Sequence, residues 1–236
     1  DLTIASEGEL MVVVWEEVWE DDDNGQPLAI GNKMNLVFSI SLDGGDTWSD
    51  ADHLLAGDIN SHGGDPSVCI DGGVIYVAYH KDLIPQSPGS DVTLARRLPG
   101  QDRFHLLDLG TKKPGMVGRG WLPNIDCKSG HVVVAWEETD TIYMDKHTHR
   151  LGVAHIDDAA TNPSISYTPM GEIDITDEKT YELAMSVTLS EDGEQVDVFW
   201  VDVLDDQSGT SEAFTATLYH RSETFDDPVC AAATQQ

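Results

Sequence analysis

The chain has 236 residues, of which 43 are acidic and 13 are basic, giving a formal net charge of −30 at pH 7. Such a chain repels phosphate backbones and anionic lipids, which excludes nucleic acids and membrane surfaces as partners. No apolar stretch is long enough to span a bilayer, so we expect no membrane insertion. The chain starts in a strand-like run without an initiator Met, which we interpret as a processed or trimmed mature chain.

Four segments along the chain share one plan, in which a short strand and a Gly-containing turn lead into an apolar run that ends in an aromatic residue. These runs end at Trp15, Tyr79, Trp136 and Trp200. A polar loop and two further strand-like runs follow each aromatic residue, without helical periodicity. One four-stranded unit cannot bury both of its faces, so repeated units are expected to stack radially around an axis. A repeat of this length does not suit the alternative, a β-sandwich.

We therefore predict an all-β, four-bladed β-propeller with four antiparallel strands per blade, formed by a single domain over residues 1–236. The repeat places the blades at approximately residues 1–59, 60–117, 118–180 and 181–236.

The first repeat carries a second signal between its third and fourth strands, where the sequence reads SLDGGDTW. The segment contains Ser41, Asp43, Gly45, Thr47 and Trp48 at the defined positions of the Asp-box pattern. It resembles the repeats of sialidases and related propellers. We expect Asp43 to accept hydrogen bonds from the turn, Gly45 to supply a positive φ, Thr47 to fit the strand and Trp48 to fill the space between blades. In this family the box is a folding device, so the resemblance implies a fold and no chemistry.

The resemblance does not extend to the sialidase active site, in which three arginines clamp the substrate carboxylate. Arg96 and Arg97 are adjacent in one strand and therefore point to opposite faces. We predict a protein that is not an enzyme.

Two acidic pairs, Glu16/Glu17 and Glu137/Glu138, follow the second-strand aromatic residues at matching repeat positions. We predict structural or surface roles for them, with glycosidase carboxylates as the alternative.

We predict no required cofactor, and calcium is the metal with the best support. The loop EDDDNGQ offers Asp21 and Asp23 before Gly25, a spacing that lets alternate carboxylates reach one hard cation. A solvated acidic loop is the alternative.

His147 and His149 alternate along another loop and could hold a transition metal, but they lack a third ligand.

The three cysteines predict one disulfide and one leftover thiol. Cys69 and Cys127 fall on the innermost strands of neighbouring blades, offset by one repeat position. This offset lets the two side chains face each other across the blade interface. We predict a Cys69–Cys127 disulfide, with two buried thiols in a reducing cell as the alternative. Cys230 is either buried or available for an intermolecular link.

These observations favour an extracellular structural or adhesive module that self-associates, head-to-tail, into filaments. One alternative is a carbohydrate-binding propeller in which Trp121 or Tyr143 stacks on sugars. The other is a sialidase-like glycoside hydrolase whose carboxylates include Glu137.

Overall fold

The computed structural model describes residues 1–19, 33–54, 61–83, 90–109, 119–139, 148–157, 159–161, 163–174, 184–205 and 214–224. These residues form fifteen strands and no helix, so no helix able to cross a membrane occurs among them. In chain order the strands are β1 Leu2–Glu7, β2 Leu10–Trp19, β3 Lys33–Ser41, β4 Asp52–His53, β5 Ser61–Asp71, β6 Val74–Leu83, β7 Ser90–Arg97, β8 His105–Asp108, β9 Arg119–Lys128, β10 His131–Thr139, β11 Thr148–Asp157, β12 Ser164–Asp174, β13 Ala184–Leu189, β14 Gln195–Asp205 and β15 Phe214–Thr224.

The strands form four separate antiparallel sheets, each built from strands that are consecutive in the chain. The strand orders are β1-β2-β3-β4, β5-β6-β7-β8, β9-β10-β11-β12 and β13-β14-β15. This architecture confirms the predicted four-bladed β-propeller. Blades 1 to 3 have four strands each. Blade 4 has three described strands, and the residues that follow Thr224 lie outside the described part of the chain.

Strand β6 illustrates why the second strand of a blade is almost continuously apolar. Its side chains alternate between two faces, so Tyr76 and Ala78 enter the core shared with blade 3, whereas Val77 and Tyr79 enter the core shared with blade 1. Both faces of the blade are covered, and every residue of the run is therefore buried. A strand with one solvent-exposed face would instead alternate between apolar and polar residues.

Three hydrophobic clusters hold the blades together, and each lies between two blades that follow one another in the chain. One joins blades 1 and 2, one joins blades 2 and 3, and one joins blades 3 and 4. The described residues contain no such cluster between blade 4 and blade 1. On β1, the side chains of Leu2 and Ile4 are 67% and 53% exposed.

Acidic side chains also link neighbouring blades at the end of the molecule where the hairpins between first and second strands lie. Glu7 of blade 1 accepts hydrogen bonds from the amides of Gly72 and Gly73 in the blade 2 hairpin, at 3.0 and 2.7 Å. Asp71 of blade 2 accepts a hydrogen bond from the Gly130 amide of the blade 3 hairpin at 2.6 Å. Part of the acidic composition therefore has a structural use, because these carboxylates satisfy backbone amides of turns.

A disulfide joins Cys69 on β5 to Cys127 on β9, with a Cα–Cα distance of 5.9 Å. Both residues are at least nine-tenths buried in the cluster between blades 2 and 3. The third cysteine, Cys230, lies outside the described residues.

Candidate functional site

Polar side chains follow the second-strand aromatic residues in the first three blades, at the end opposite the hairpins. They are Glu16, His80 and Glu137, and each comes directly after its aromatic residue. His80 is 4% exposed and Glu137 is 9% exposed, while the Glu16 side chain is 13% exposed. This burial rules out a surface role for Glu16 and Glu137. Charged residues are rarely buried unless partners hold them, so their surroundings are informative.

Two of these side chains converge on Asp65, on the innermost strand of blade 2. His80 Nδ1 lies 2.8 Å from Asp65 Oδ2. Glu16 of blade 1 accepts a hydrogen bond from the Asp65 amide, at 2.6 Å from its Oε1. The Leu122 amide of blade 3 donates to the Asp65 carboxylate. Three blades therefore hold this one residue.

Asp65 has an uncommon backbone conformation, with a φ of 50°. It lies in a β-bulge, where the register of β5 against β6 shifts between Gly64 and Ser67, and it directly precedes Pro66. A positive φ is sterically disfavoured for residues with a side chain, although Asp tolerates it better than most. Backbone strain of this kind persists only where the surroundings enforce it, and it concentrates at functional sites.

Blade 3 repeats this bulge without the acidic side chain. Leu122 precedes Pro123 and has a φ of 48°, and the register of β9 against β10 shifts between Ala135 and Glu137. The pairing of β1 with β2 has no register shift, whereas blades 2 and 3 share the bulge. An aspartate on it is particular to blade 2.

Gly64 makes room for the two side chains that hold Asp65. A Cβ atom at this position would lie 2.5 Å from Cε1 of His80 and 3.2 Å from Oε1 of Glu16. The first distance is far below van der Waals contact, so any larger residue would displace the His80 ring. Glycine at this position is thus a requirement of the cluster.

The surroundings of Asp65 favour its ionised form. The hydrogen bond from His80 is the main cause that lowers the pKa of Asp65, and it outweighs the opposing effect of burial. The charge of His80 and the Leu122 amide lower the pKa further. At neutral pH the site therefore presents a carboxylate that can accept a proton or stabilise positive charge.

Glu137 is the second buried carboxyl group at this end of the molecule. It pairs in register with Trp121 on β9, one residue before the Leu122 amide that donates to Asp65, and with Leu151 on β11. Leu151 belongs to the cluster between blades 3 and 4. Glu137 therefore lies beside the interface between blades 3 and 4. Its partner on β9 is adjacent in sequence to Leu122, whose amide donates to Asp65.

Among the described residues, two groups have donor atoms close enough together for a metal ion. Asp1, Glu16 and Asp65 offer carboxylate oxygens that lie within 4.8 Å of one another. The second group lies at the opposite end of blade 3 and contains histidines. The calcium candidates Asp21 and Asp23 lie outside the described residues, as do His147 and Tyr143, whereas His149 lies on β11.

The Asp-box segment lies away from this cluster, on the turn after β3. Asp43 accepts hydrogen bonds from the Thr47 amide at 2.9 Å and from the Ser41 hydroxyl at 2.7 Å, and Gly45 has a φ of 99°. Thr47 lies in a bend after β3 rather than in a strand.

The prediction that Trp48 fills the space between blades is wrong. Its side chain is 41% exposed, and its indole Nε1 donates to the Gly45 carbonyl at 3.0 Å. The indole N–H needs a polar partner, and closing the turn supplies one that a dry blade interface does not.

The sequence analysis did not single out Asp65 or His80. The signals were nevertheless present. Asp65 precedes Pro66 as Leu122 precedes Pro123, so an acidic residue stands at a repeat position that is apolar in blade 3. His80 follows Tyr79 as Glu16 follows Trp15.

No protein-family model matches the sequence, and no curated protein matches it. Solved structures do match the fold. The GH93 α-L-arabinofuranosidase of Fusarium graminearum, in complex with arabinobiose, has a TM-score of 0.52 at 10% identity over 94% of this chain and 61% of that chain. The α-L-arabinanase of Penicillium chrysogenum, also with arabinobiose, has a TM-score of 0.50 at 13% identity over 94% of this chain and 62% of that one. An endo-arabinase from Bacteroides thetaiotaomicron has a TM-score of 0.50 at 10% identity, over 90% and 70% of the two chains.

These comparisons contradict the prediction of a non-enzymatic structural or adhesive module that assembles into filaments. The three solved structures described above are named as an arabinofuranosidase, an arabinanase and an endo-arabinase. The prediction failed because it tested only for the arginine clamp of sialidases, and a propeller that acts on uncharged sugars needs no such clamp. At these identities the likeness shows the fold alone, and this chain spans less than two thirds of the two arabinobiose-bound chains.

Proposed function

We propose that this protein is a glycoside hydrolase that acts on uncharged sugars, with Asp65 as its central carboxylate. The observation that carries the proposal is the assembly of Asp65 from three blades. His80, the Glu16 side chain and the Leu122 amide hold an ionised carboxylate on a strained bulge. Such an arrangement serves no obvious purpose in packing. It suits a group that must be charged and accurately placed.

Glycoside hydrolysis in most families uses two carboxyl groups, one ionised and one able to donate a proton. Asp65 fits the ionised role, as a general base or a nucleophile. We assign the second role to Glu137, the buried carboxyl group beside the blade 3 to blade 4 interface. Glu16 and His80 act through Asp65 and are therefore positioning residues. Glu16 holds the backbone of the bulge, and His80 holds the carboxylate.

The substrate class follows from charge. A chain with a net charge of −30 and carboxylates at its site repels sugars that carry a carboxylate. Among the described arginines, Arg96 is turned away from the site and donates to the Ala159 carbonyl of blade 3. The two fungal neighbours are in complex with arabinobiose, which is an uncharged disaccharide. We therefore favour neutral oligosaccharides over sialosides.

Two further assignments belong to this proposal. The hydrogen bonds of the Ser41–Trp48 turn support its assignment as an Asp-box. The Cys69–Cys127 disulfide supports a secreted protein, because disulfides persist mainly in oxidising compartments.

A substrate panel tests the proposal. Purified protein is incubated with neutral oligosaccharides and polysaccharides, including arabinan and xylan, and with sialyl oligosaccharides, and reducing-sugar release is measured. We expect release from at least one neutral substrate and none from the sialosides. No release from any neutral substrate at high enzyme concentration would contradict the proposal.

A further inference from the structure

Two histidines and an aspartate meet at the hairpin end of blade 3, away from the carboxylate site. His131 begins β10, and His155 and Asp157 lie at the end of the neighbouring strand β11. His131 Nδ1 lies 2.7 Å from Asp157 Oδ1 and 3.3 Å from His155 Nε2, and His155 Nε2 lies 3.8 Å from Asp157 Oδ1. Along β10, His131 lies six positions before Glu137, which is roughly 20 Å of strand.

We propose that His131, His155 and Asp157 form a binding site for a zinc ion. The three donor atoms already have the separation that one small ion needs. For bonds of about 2.0–2.1 Å, tetrahedral ligand atoms lie roughly 3.3 Å apart. The observed distances of 2.7, 3.3 and 3.8 Å fall on both sides of that value. Small side-chain rotations suffice to equalise them.

The donor set selects a transition metal over calcium or magnesium. Two imidazole nitrogens and one carboxylate oxygen suit zinc and its neighbours in the first row, whereas the hard cations prefer oxygen ligands throughout. In the metal-free state His131 is hydrogen-bonded to Asp157. A zinc ion would take the place of the proton between them.

The cluster is open on one side, which gives an ion a way in. The side chains of His131 and Asp157 are 27% and 55% exposed, while that of His155 is 5% exposed. Three protein ligands and a solvent-facing fourth position match sites that keep a water molecule on zinc. The two rings are stacked, with centroids 5.3 Å apart and an interplanar angle of 10°, so His155 is fixed by burial and His131 lies against it.

The facing hairpin of blade 4 closes the other side of His131. A Cβ atom on Gly193 would lie 2.4 Å from Cδ2 of His131, so the hairpin backbone rests directly on the ring. Beside it, hydrogen bonds from the Ser190 hydroxyl and the Glu194 amide lower the pKa of Asp192, with a smaller effect from His131. An ion bound here would fix His131 beneath this hairpin and tie blade 3 to blade 4.

Calorimetric titration with zinc chloride tests the site in EDTA-treated, dialysed protein. We expect one zinc ion per chain with micromolar or tighter affinity, a higher Tm with zinc, and no comparable response to calcium. Asp157→Asn and His131→Gln should each weaken binding at least about tenfold. Both variants should keep the metal-free Tm within a few degrees, because both sites are partly exposed.

Two controls separate this site from other histidines. His220→Gln removes an imidazole that also pairs with an aspartate, Asp197 at 2.9 Å, and stacks on the ring of Phe199. The described part of the chain supplies no third metal-binding group to this pair. The double variant His147→Gln/His149→Gln removes the other histidine pair. Both controls should bind zinc as the unaltered protein does. Absence of zinc binding, or binding that survives in Asp157→Asn and His131→Gln, would overturn the proposal, as would loss of binding in either control.

Discussion

At the scale of single residues, an acidic side chain can hold a turn together through hydrogen bonds to its near neighbours in the sequence. Asp43 is exposed, yet it organises its turn through hydrogen bonds from the hydroxyl and amide of Thr47 and from the Ser41 hydroxyl. The Thr47 hydroxyl is the largest of the causes that lower the pKa of Asp43 to about 2. Each of these donors prefers the charged carboxylate, which is why the turn depends on ionisation.

Acid should weaken this turn at a defined pH. The folded-state pKa of Asp43 is lowered, so its contribution to stability is complete above the unfolded value of 3.8 and is lost as the pH falls towards about 2. Asp43→Asn removes this titration. We expect the variant to lose less stability than the unaltered protein between pH 4 and pH 2, by thermal unfolding at each pH. Equal losses in the two proteins would contradict the account.

His80 provides the corresponding test at the carboxylate site. Its hydrogen bond is the main cause of the lowered pKa of Asp65. His80→Gln should therefore raise the pKa of Asp65 towards its ordinary value and move the acidic limb of kcat/KM to higher pH. The measurement is a pH–rate profile on the neutral substrate identified by the panel. A profile that falls in height without moving would indicate that His80 has only a structural role.

At the scale of elements, the innermost strands β5 and β9 contain the bulges and the disulfide. Both contain a bulge before a proline, and the disulfide joins them. The bulge turns Asp65 towards its partners in blades 1 and 3, and the disulfide lies on the same two strands, at Cys69 and Cys127. The contact between Asp65 and the Leu122 amide and the crosslink therefore both join blades 2 and 3.

Removing the disulfide should destabilise the fold. The crosslink closes a loop of 58 residues, which corresponds to about 4 kcal/mol on the chain-entropy model. Cys69→Ala/Cys127→Ala should therefore lower the midpoint of urea unfolding, while Cys230→Ala should leave it nearly unchanged. Equal midpoints for the double variant and the unaltered protein would contradict this expectation.

The sequence predicts elements better than it predicts the site. The four-bladed fold follows from the repeat, because apolar runs ending in Trp15, Tyr79, Trp136 and Trp200 mark equivalent strands. Asp65 escapes such an analysis because its importance comes from contacts with two other blades. The sequence also does not predict that Trp48 is exposed, because a tryptophan that closes a turn and one that fills a core cannot be distinguished by sequence.

At the scale of the whole molecule, the imbalance of charge is the dominant feature. The chain has 43 acidic and 13 basic residues, and charges of one sign repel one another across the folded surface. Salt shortens the reach of this repulsion, from about 30 Å at 0.01 M to less than about 10 Å above 0.1 M. We expect the Tm to rise between about 0.01 M and 0.5 M NaCl in thermal unfolding. A Tm that stays constant or falls would show that favourable ion pairs outweigh the repulsion.

The candidate site is itself a property of the whole molecule, because Asp65 depends on side chains or amides from blades 1, 2 and 3. The disulfide and the three interblade clusters hold those blades in place. The proposed function therefore predicts that replacing one carboxylate oxygen of Asp65 lowers activity.

The most direct test is kcat/KM on a neutral glycoside for the unaltered protein, for Asp65→Asn and for Asp197→Asn. Asp197 also pairs with a histidine but lies on blade 4, away from the site, so its variant is a matched control. We predict a loss of about 10²- to 10⁴-fold for Asp65→Asn and no comparable loss for Asp197→Asn. Equal activity of Asp65→Asn and the unaltered protein would contradict the account.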